Sequence, residues 1–383
     1  MLRLFILLAA VKLGFVAFVE NESLKFIPDA VIFMVTVIGL YINMISPRGS
    51  FKEAVYPVLG ILGLLASGSL TIVLNDNYFA SSYTSLLRTI SPLLVFILLL
   101  QSNFIHEKKI NPIEYRAVLA LIFWIIFLVL YGILYLTPDS NRGLIWWGTV
   151  FGGLHESAYT LLAAAFLSYV IFSARPSIKN LLLLILISIF TMVTLIFGWG
   201  VRTVGFAYIL FIVVVASRPF GIKPIVSLSV IITTGIITIL SLFAFDFISS
   251  ENFMIFTSGR TAMYAEKVTF LLENTKIEWA LGNGFGSDLM HSNVWWWATK
   301  GSHNDYLTFI TENGIVFLLL LMSVLFSLFR RIGKSNGKII FLLALMTSMV
   351  SNGYLVRPTA AYVLVIALTL QSGYNNEKRS YGK

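Results

Sequence analysis

The chain contains no cysteine, which excludes disulfides, thiol nucleophiles and cysteine metal sites and leaves its redox compartment open. Charge is scarce as well: Asp, Glu, Lys and Arg make up 12% of 383 residues, against about a quarter in soluble globular proteins. A water-soluble fold is therefore excluded. There is no Gly-Lys-Ser/Thr phosphate loop, no Gly-x-Ser-x-Gly elbow and no His-Glu-x-x-His, so ATP hydrolysis, serine hydrolysis and zincin chemistry lack support. Any reaction must draw on a substrate that arrives already activated, as a phosphorylated one does.

What is present is apolar: 58% of residues are hydrophobic and 14% aromatic. Apolar stretches recur from end to end, most of them long enough to cross the roughly 30 Å hydrocarbon layer as a helix. They lie near 2–19, 27–45, 54–74, 86–104, 116–136, 157–174, 181–197, 202–217, 225–246, 306–329, 339–352 and 354–370. The expected fold is all-α, a polytopic membrane protein of about 12 transmembrane helices solvated by membrane lipids. The first run carries Lys12 and ends without a small-residue cleavage signal, so it reads as a retained span.

The net charge of +9 needs no nucleic-acid partner. Loops after even-numbered spans hold the cations. With both tails included, 17 Lys and Arg fall on one side and 8 on the other, while Lys12 and Arg88 lie inside spans. The positive-inside rule then places both termini in the cytoplasm.

One connection is out of proportion. Residues 247–305 form an outward polar loop of 59 residues, where helix connections usually take about 2 to 8. It separates 1–246, with nine spans, from 306–383, with three and a cytoplasmic tail. Within the loop, Ser258 caps an expected amphipathic helix whose apolar face is Met263, Tyr264, Val268 and Leu271. Gly282, Gly284 and Gly286 mark a turn-rich segment, and Trp295, Trp296 and Trp297 are placed as interfacial aromatics are.

Outward arginines run against the topological bias. Arg142 lies in a loop, whereas Arg202, Arg260 and Arg357 sit hard against spans, where a guanidinium is costly unless paired. Arg suits forked contact with phosphate oxygens, so the three together suggest a phosphate or pyrophosphate clamp. The plainer reading has each snorkel to headgroups or pair with Glu266, Asp288 or Glu312. His303, where the loop re-enters the membrane, titrates near neutrality and can take a proton from a hydroxyl. Asp305 or Glu312 can orient it or serve instead. His155, next to Glu156, can line the same cavity; His291 has weaker company and His106 belongs to a cytoplasmic loop. No close ligand pair supports a metal site. A carrier with Arg88, Asp29 and Asp246 along its path is the competing class, although the two halves of the chain are unlike.

The run Ser302-His303-Asn304-Asp305-Tyr306-Leu307 followed by Thr311-Glu312-Asn313-Gly314 resembles a signature of the bacterial O-antigen polymerase and O-antigen ligase superfamily. Ser258-Gly259-Arg260, Leu281-Gly282-Asn283-Gly284-Phe285-Gly286 and Val201-Arg202-Thr203 resemble further landmarks of that family, in the same order. The match covers residues 195–330, and the first half agrees only in hydropathy. The resemblance implies a GT-C-like glycosyltransferase of the bacterial inner membrane, acting at the periplasmic face on an undecaprenyl-diphosphate-linked glycan donor and a glycan acceptor. No cofactor or metal is implied. Arg202 and Arg260 would hold the pyrophosphate, with Arg357 a looser match, and His303 would deprotonate or position the acceptor hydroxyl. A polymerase is favoured over a ligase that transfers glycan to lipid A-core, and a protein that sets chain length is a conceivable partner.

Overall fold

The computed structural model describes residues 1–45, 51–75, 79–101, 110–138, 147–217, 226, 228–235, 260–291, 299, 301–333, 335–351 and 353–372. Among them every regular element is helical. The first half runs α1 (Leu2–Phe18), α2 (Ile27–Ile45), α3 (Phe51–Asn75), α4 (Phe79–Gln101), α5 (Pro112–Tyr135), α6 (Leu154–Ala174), α7 (Ile178–Val193) and α8 (Arg202–Ala216). After the loop region come α9 (Arg260–Leu272), α10 (Lys276–Leu281), α11 (Asp305–Arg331), α12 (Ser335–Val350) and α13 (Pro358–Ser372). The apolar run at 225–246 falls mostly outside the described residues. So do Ser258, Arg142, His106, Asp246 and the Trp295–Trp297 run.

Six helices are long and apolar enough to cross a membrane, and α8, α12 and α13 are shorter apolar helices, as is Ile27–Asn43 within α2. Side-chain placement argues for a lipid surround. In α7 only Asn180, Ile187 and Thr191 are buried, whereas Leu182, Leu186 and Ile189 face outward. α5 likewise exposes Phe123, Phe127 and Leu134. Exposed apolar surface on this scale is unstable in water and at home in hydrocarbon. This is a membrane-embedded helical protein.

α6 and α13 occupy the centre. Every residue of α13 is buried, as is nearly all of α6 from Ser157 to Ile171. A helix apolar all round has no preferred outer face and belongs inside a bundle. α4 and α1 pack on α13, α5 and α7 on α6, and α3 joins α4 to α11. Between α1, α2 and α4, Lys12 pairs with Asp29, and Arg88 approaches the same carboxylate at 3.5 Å. The Lys12 ammonium also lies 5.5 Å from the Tyr362 ring centroid, and Tyr362 shares a 2.7 Å hydrogen bond with Ser91. Asp29 and Arg88 are thus tied to each other rather than spaced along a path.

Candidate functional site

The loop helix α9 departs from its expected face. Met263 and Leu271 are buried, but Val268 is 47% exposed and the residue between them on the buried stripe is Lys267, 0% exposed. Positions 263, 267 and 271 are four apart and so share one side of a helix. A lysine within such a stripe must have a partner, and Lys267 has Asp288 at 3.1 Å. Asp288, considered above as an arginine partner, is therefore taken by a lysine.

α10 is an additional helix between the expected amphipathic helix and the glycine turns. Its start is a capping box: Thr275 Oγ1 accepts from the Glu278 amide at 3.3 Å, and Glu278 Oε2 accepts from the Thr275 amide at 2.6 Å. The Thr275 amide donating to its carboxylate holds the Glu278 carboxyl below its usual value. The glycine segment then turns back across α11. Gly282, Gly284 and Gly286 have φ of 81°, 91° and 88°, a region that residues with a Cβ avoid.

α11 breaks at Gly314 (φ 76°, ψ 176°), and the break frees carbonyls that a continuous helix would use. The Thr311 carbonyl accepts from the Asn283 amide at 2.8 Å, and the Glu312 carbonyl from the Gly284 amide at 3.0 Å. Glu312 Oε1 accepts from the Gly286 amide at 2.9 Å. The structure thus gives Glu312 a backbone partner in the glycine turn, and its role beside His303 has no direct contact to support it.

His303 stands between two clamps. Ser302 on one side is buried, and Asn304 on the other caps α11, its Oδ1 accepting from the Tyr306 and Leu307 amides at 3.1 and 3.2 Å. His303 itself adopts a left-handed backbone, φ 50°, at a cost of about 1–2 kcal/mol for a residue with a Cβ. Its carbonyl accepts from the Tyr264 hydroxyl at 3.4 Å. Its ring faces that of His155, with centroids 5.9 Å apart.

His155 and Glu156 lie in the first turn of α6. Glu156 Oε1 accepts from the Thr359 amide at 3.0 Å, and Oε2 lies 4.0 Å from Arg357 Nη1. The carboxylate so satisfies an orphan amide at the start of α13 while meeting the arginine before it. Asp305 is fully buried under the turn that carries Arg357, both oxygens 3.0 Å from the Gly353 amide. Arg260 donates from Nη1 to the Val350 carbonyl at 2.8 Å, at the end of α12 where that turn begins. Burial pushes the Tyr264 hydroxyl up, with the Arg260 charge opposing and the Asp305 charge adding.

His303, Asp305, Arg260 and Arg357 therefore lie about the turn of residues 353–357, together with His155 and Glu156. Arg202 opens α8 with an exposed side chain, and no hydrogen bond or ion pair of its side chain joins it to the group. His291 is exposed. Among the described residues, no cluster of three His, Cys, Asp or Glu side chains is placed to hold a metal ion. The sequence reading missed Lys267, although a lysine on an apolar stripe is a legible sign of a buried pair. It also missed the partnership of Glu156 with Arg357, which no sequence spacing encodes. Comparison with protein-family models and with curated proteins finds no match for this chain.

Proposed function

We propose that the chain is a glycosyltransferase that polymerises a surface polysaccharide of the O-antigen kind. It joins undecaprenyl-diphosphate-linked oligosaccharide units at the periplasmic face of a bacterial inner membrane, with both termini in the cytoplasm. The observation that supports this reading is that Arg260 bonds the end of α12, Arg357 lies in the turn that follows and is met by Glu156, and His303 is joined to the same region through Tyr264 and its neighbour His155.

In this reading the acceptor hydroxyl attacks the anomeric carbon from the face opposite the pyrophosphate and inverts it. His303 takes the hydroxyl proton, and the bond from the anomeric carbon to the phosphate oxygen breaks, releasing undecaprenyl diphosphate. Guanidinium groups fixed in advance stabilise the negative charge that grows on the departing oxygen more than they stabilise the bound donor. Arg357 is held towards the site by Glu156, and Arg260 by the Val350 carbonyl. Arg202 contributes from the start of α8 once the donor spans the distance. A protein that sets chain length would act on this enzyme from outside the site.

The experiment is deletion of the gene in its host, with surface lipopolysaccharide separated on a gel and the lipid-linked pool extracted. Polymerase activity predicts loss of the ladder with a single-repeat band left on lipid A-core. If long polymer instead accumulates on undecaprenyl diphosphate and no repeat reaches the core, the protein is the ligase. A ladder and pool that stay unchanged, with no paralogue present, remove both and favour a carrier.

A further inference from the structure

Ser302 hangs from a carboxylate placed fourteen residues earlier in the chain. Asp288 Oδ2 accepts from the Ser302 amide at 2.8 Å, from Ser302 Oγ at 3.1 Å and from Thr308 Oγ1 at 2.8 Å. Its Oδ1 faces Lys267 Nζ at 3.1 Å, and the same ammonium donates to the Asp288 backbone carbonyl. Lys267 and Ser302 are 0% exposed and Asp288 3%. Gly301 lies against Oδ2, since a Cβ there would come within 2.8 Å of it. One carboxylate thus gathers α9, the approach to His303 and the first turn of α11.

A buried ion pair is weak evidence of a stabilising role, because well-packed apolar residues of the same volume often do as well. What an apolar pair cannot do is direct three donors onto one oxygen. The residue next to those donors is His303, whose left-handed backbone persists only where its surroundings over-determine it. Asn304 holds its far side by capping α11, and on the near side Asp288 takes the Ser302 amide while the Ser302 hydroxyl also reaches the Asn304 carbonyl and Thr308 Oγ1.

We propose that Lys267 and Asp288 are positioning residues, a buried pair that sets the backbone of His303 through Ser302 and so aims its imidazole. The catalytic meaning rests on His303 as the acceptor-activating group, but the geometry is testable without it.

The absence of cysteine provides the probe. A spin label on His303→Cys in the full-length chain in lipid nanodiscs reports local mobility, with Tyr135→Cys, 73% exposed at the far end of α5, as the control. Asp288→Ala should sharpen the spectrum at 303 and leave that at 135 unchanged. Should Asp288→Ala not accumulate, Thr308→Val and the double variant Lys267→Met/Asp288→Asn serve as milder tests with the same expectation. An unchanged spectrum at 303, or equal loosening at both positions, overturns the proposal. With His303 intact, the same variants should lower kcat of transfer by about 10²-fold with the donor KM little changed. If the label loosens at 303 while transfer is unaffected, the positioning pair stands and it is the role of His303 in transfer that falls.

Discussion

Gly282 and Gly314 cross with their backbones in contact: a Cβ on Gly314 would lie 2.6 Å from the Gly282 amide nitrogen, and one on Gly282 would overlap the main chain at Glu312 and Asn313. Both have positive φ, so alanine at either position is strained even before it collides. Gly282→Ala and Gly314→Ala should each destabilise the protein by at least about 1–2 kcal/mol. Thermal unfolding in detergent should show the drop, with Gly286→Ala a milder comparison, since nothing lies within 4 Å of the Cβ it would add.

Arg357 and Glu156 should behave unequally in transfer. Arg357→Ala removes a charge that the proposed reaction uses as the leaving group departs, and kcat should fall by about 10²–10³-fold. Arg357→Lys should recover little of this, because an ammonium lacks the planar fork. Glu156→Gln keeps an acceptor for the Thr359 amide and should cost under about tenfold. Single-turnover transfer with a lipid-linked oligosaccharide donor measures all three.

Among the described residues, Asp29 is the acid in ion-pair contact with both Lys12 and Arg88. Asp29→Asn leaves buried Lys12 without a counter-charge, and the loss should be about 3–5 kcal/mol, enough to deplete the protein from membranes. Lys12→Met/Asp29→Asn removes both charges and should restore much of the accumulation. Quantitative membrane blots compare the two variants.

Acid should loosen α10 before the rest of the loop. The Glu278 carboxyl sits below its usual value because it accepts from the Thr275 amide, so the cap is fully present above the ordinary glutamate pKa of about 4.3. It is lost as pH falls through the lower folded value. Hydrogen exchange at residues 276–281, corrected for intrinsic rates, should rise across that interval in the parent. In Glu278→Gln it should already be faster at neutral pH and change little on acidification.

The helical runs and the loop between them were legible because hydropathy is a local property, and each of the twelve apolar runs overlaps described helical residues. Gly282, Gly284 and Gly286 were legible for a similar reason: their spacing implies backbone that other residues avoid. What the glycines touch was not, because the break at Gly314 depends on carbonyls being taken by a segment some thirty residues away. Lys267 was misplaced because Val268 is the more apolar neighbour, and only the tertiary partner Asp288 decides which of the two turns inward. His303 and Arg357 were singled out by type and position, whereas Glu156 needed the fold to bring α6 against α13.

The break at Gly314 also redraws where the layer over the bundle ends. By composition the loop stops at Asp305, yet the stretch from Asp305 to Asn313 is bonded sideways to the glycine turn and to Asp288. Those nine residues are bonded to the bundle too, the Tyr306 hydroxyl donating to the Leu345 carbonyl and Asp305 accepting from the Gly353 amide, so they tie the loop to the helices, and regular helix resumes at Ile315. His303 immediately precedes that stretch and its neighbour Asn304 caps it, so a substitution that straightens the break at Gly314 should be felt at His303 as well.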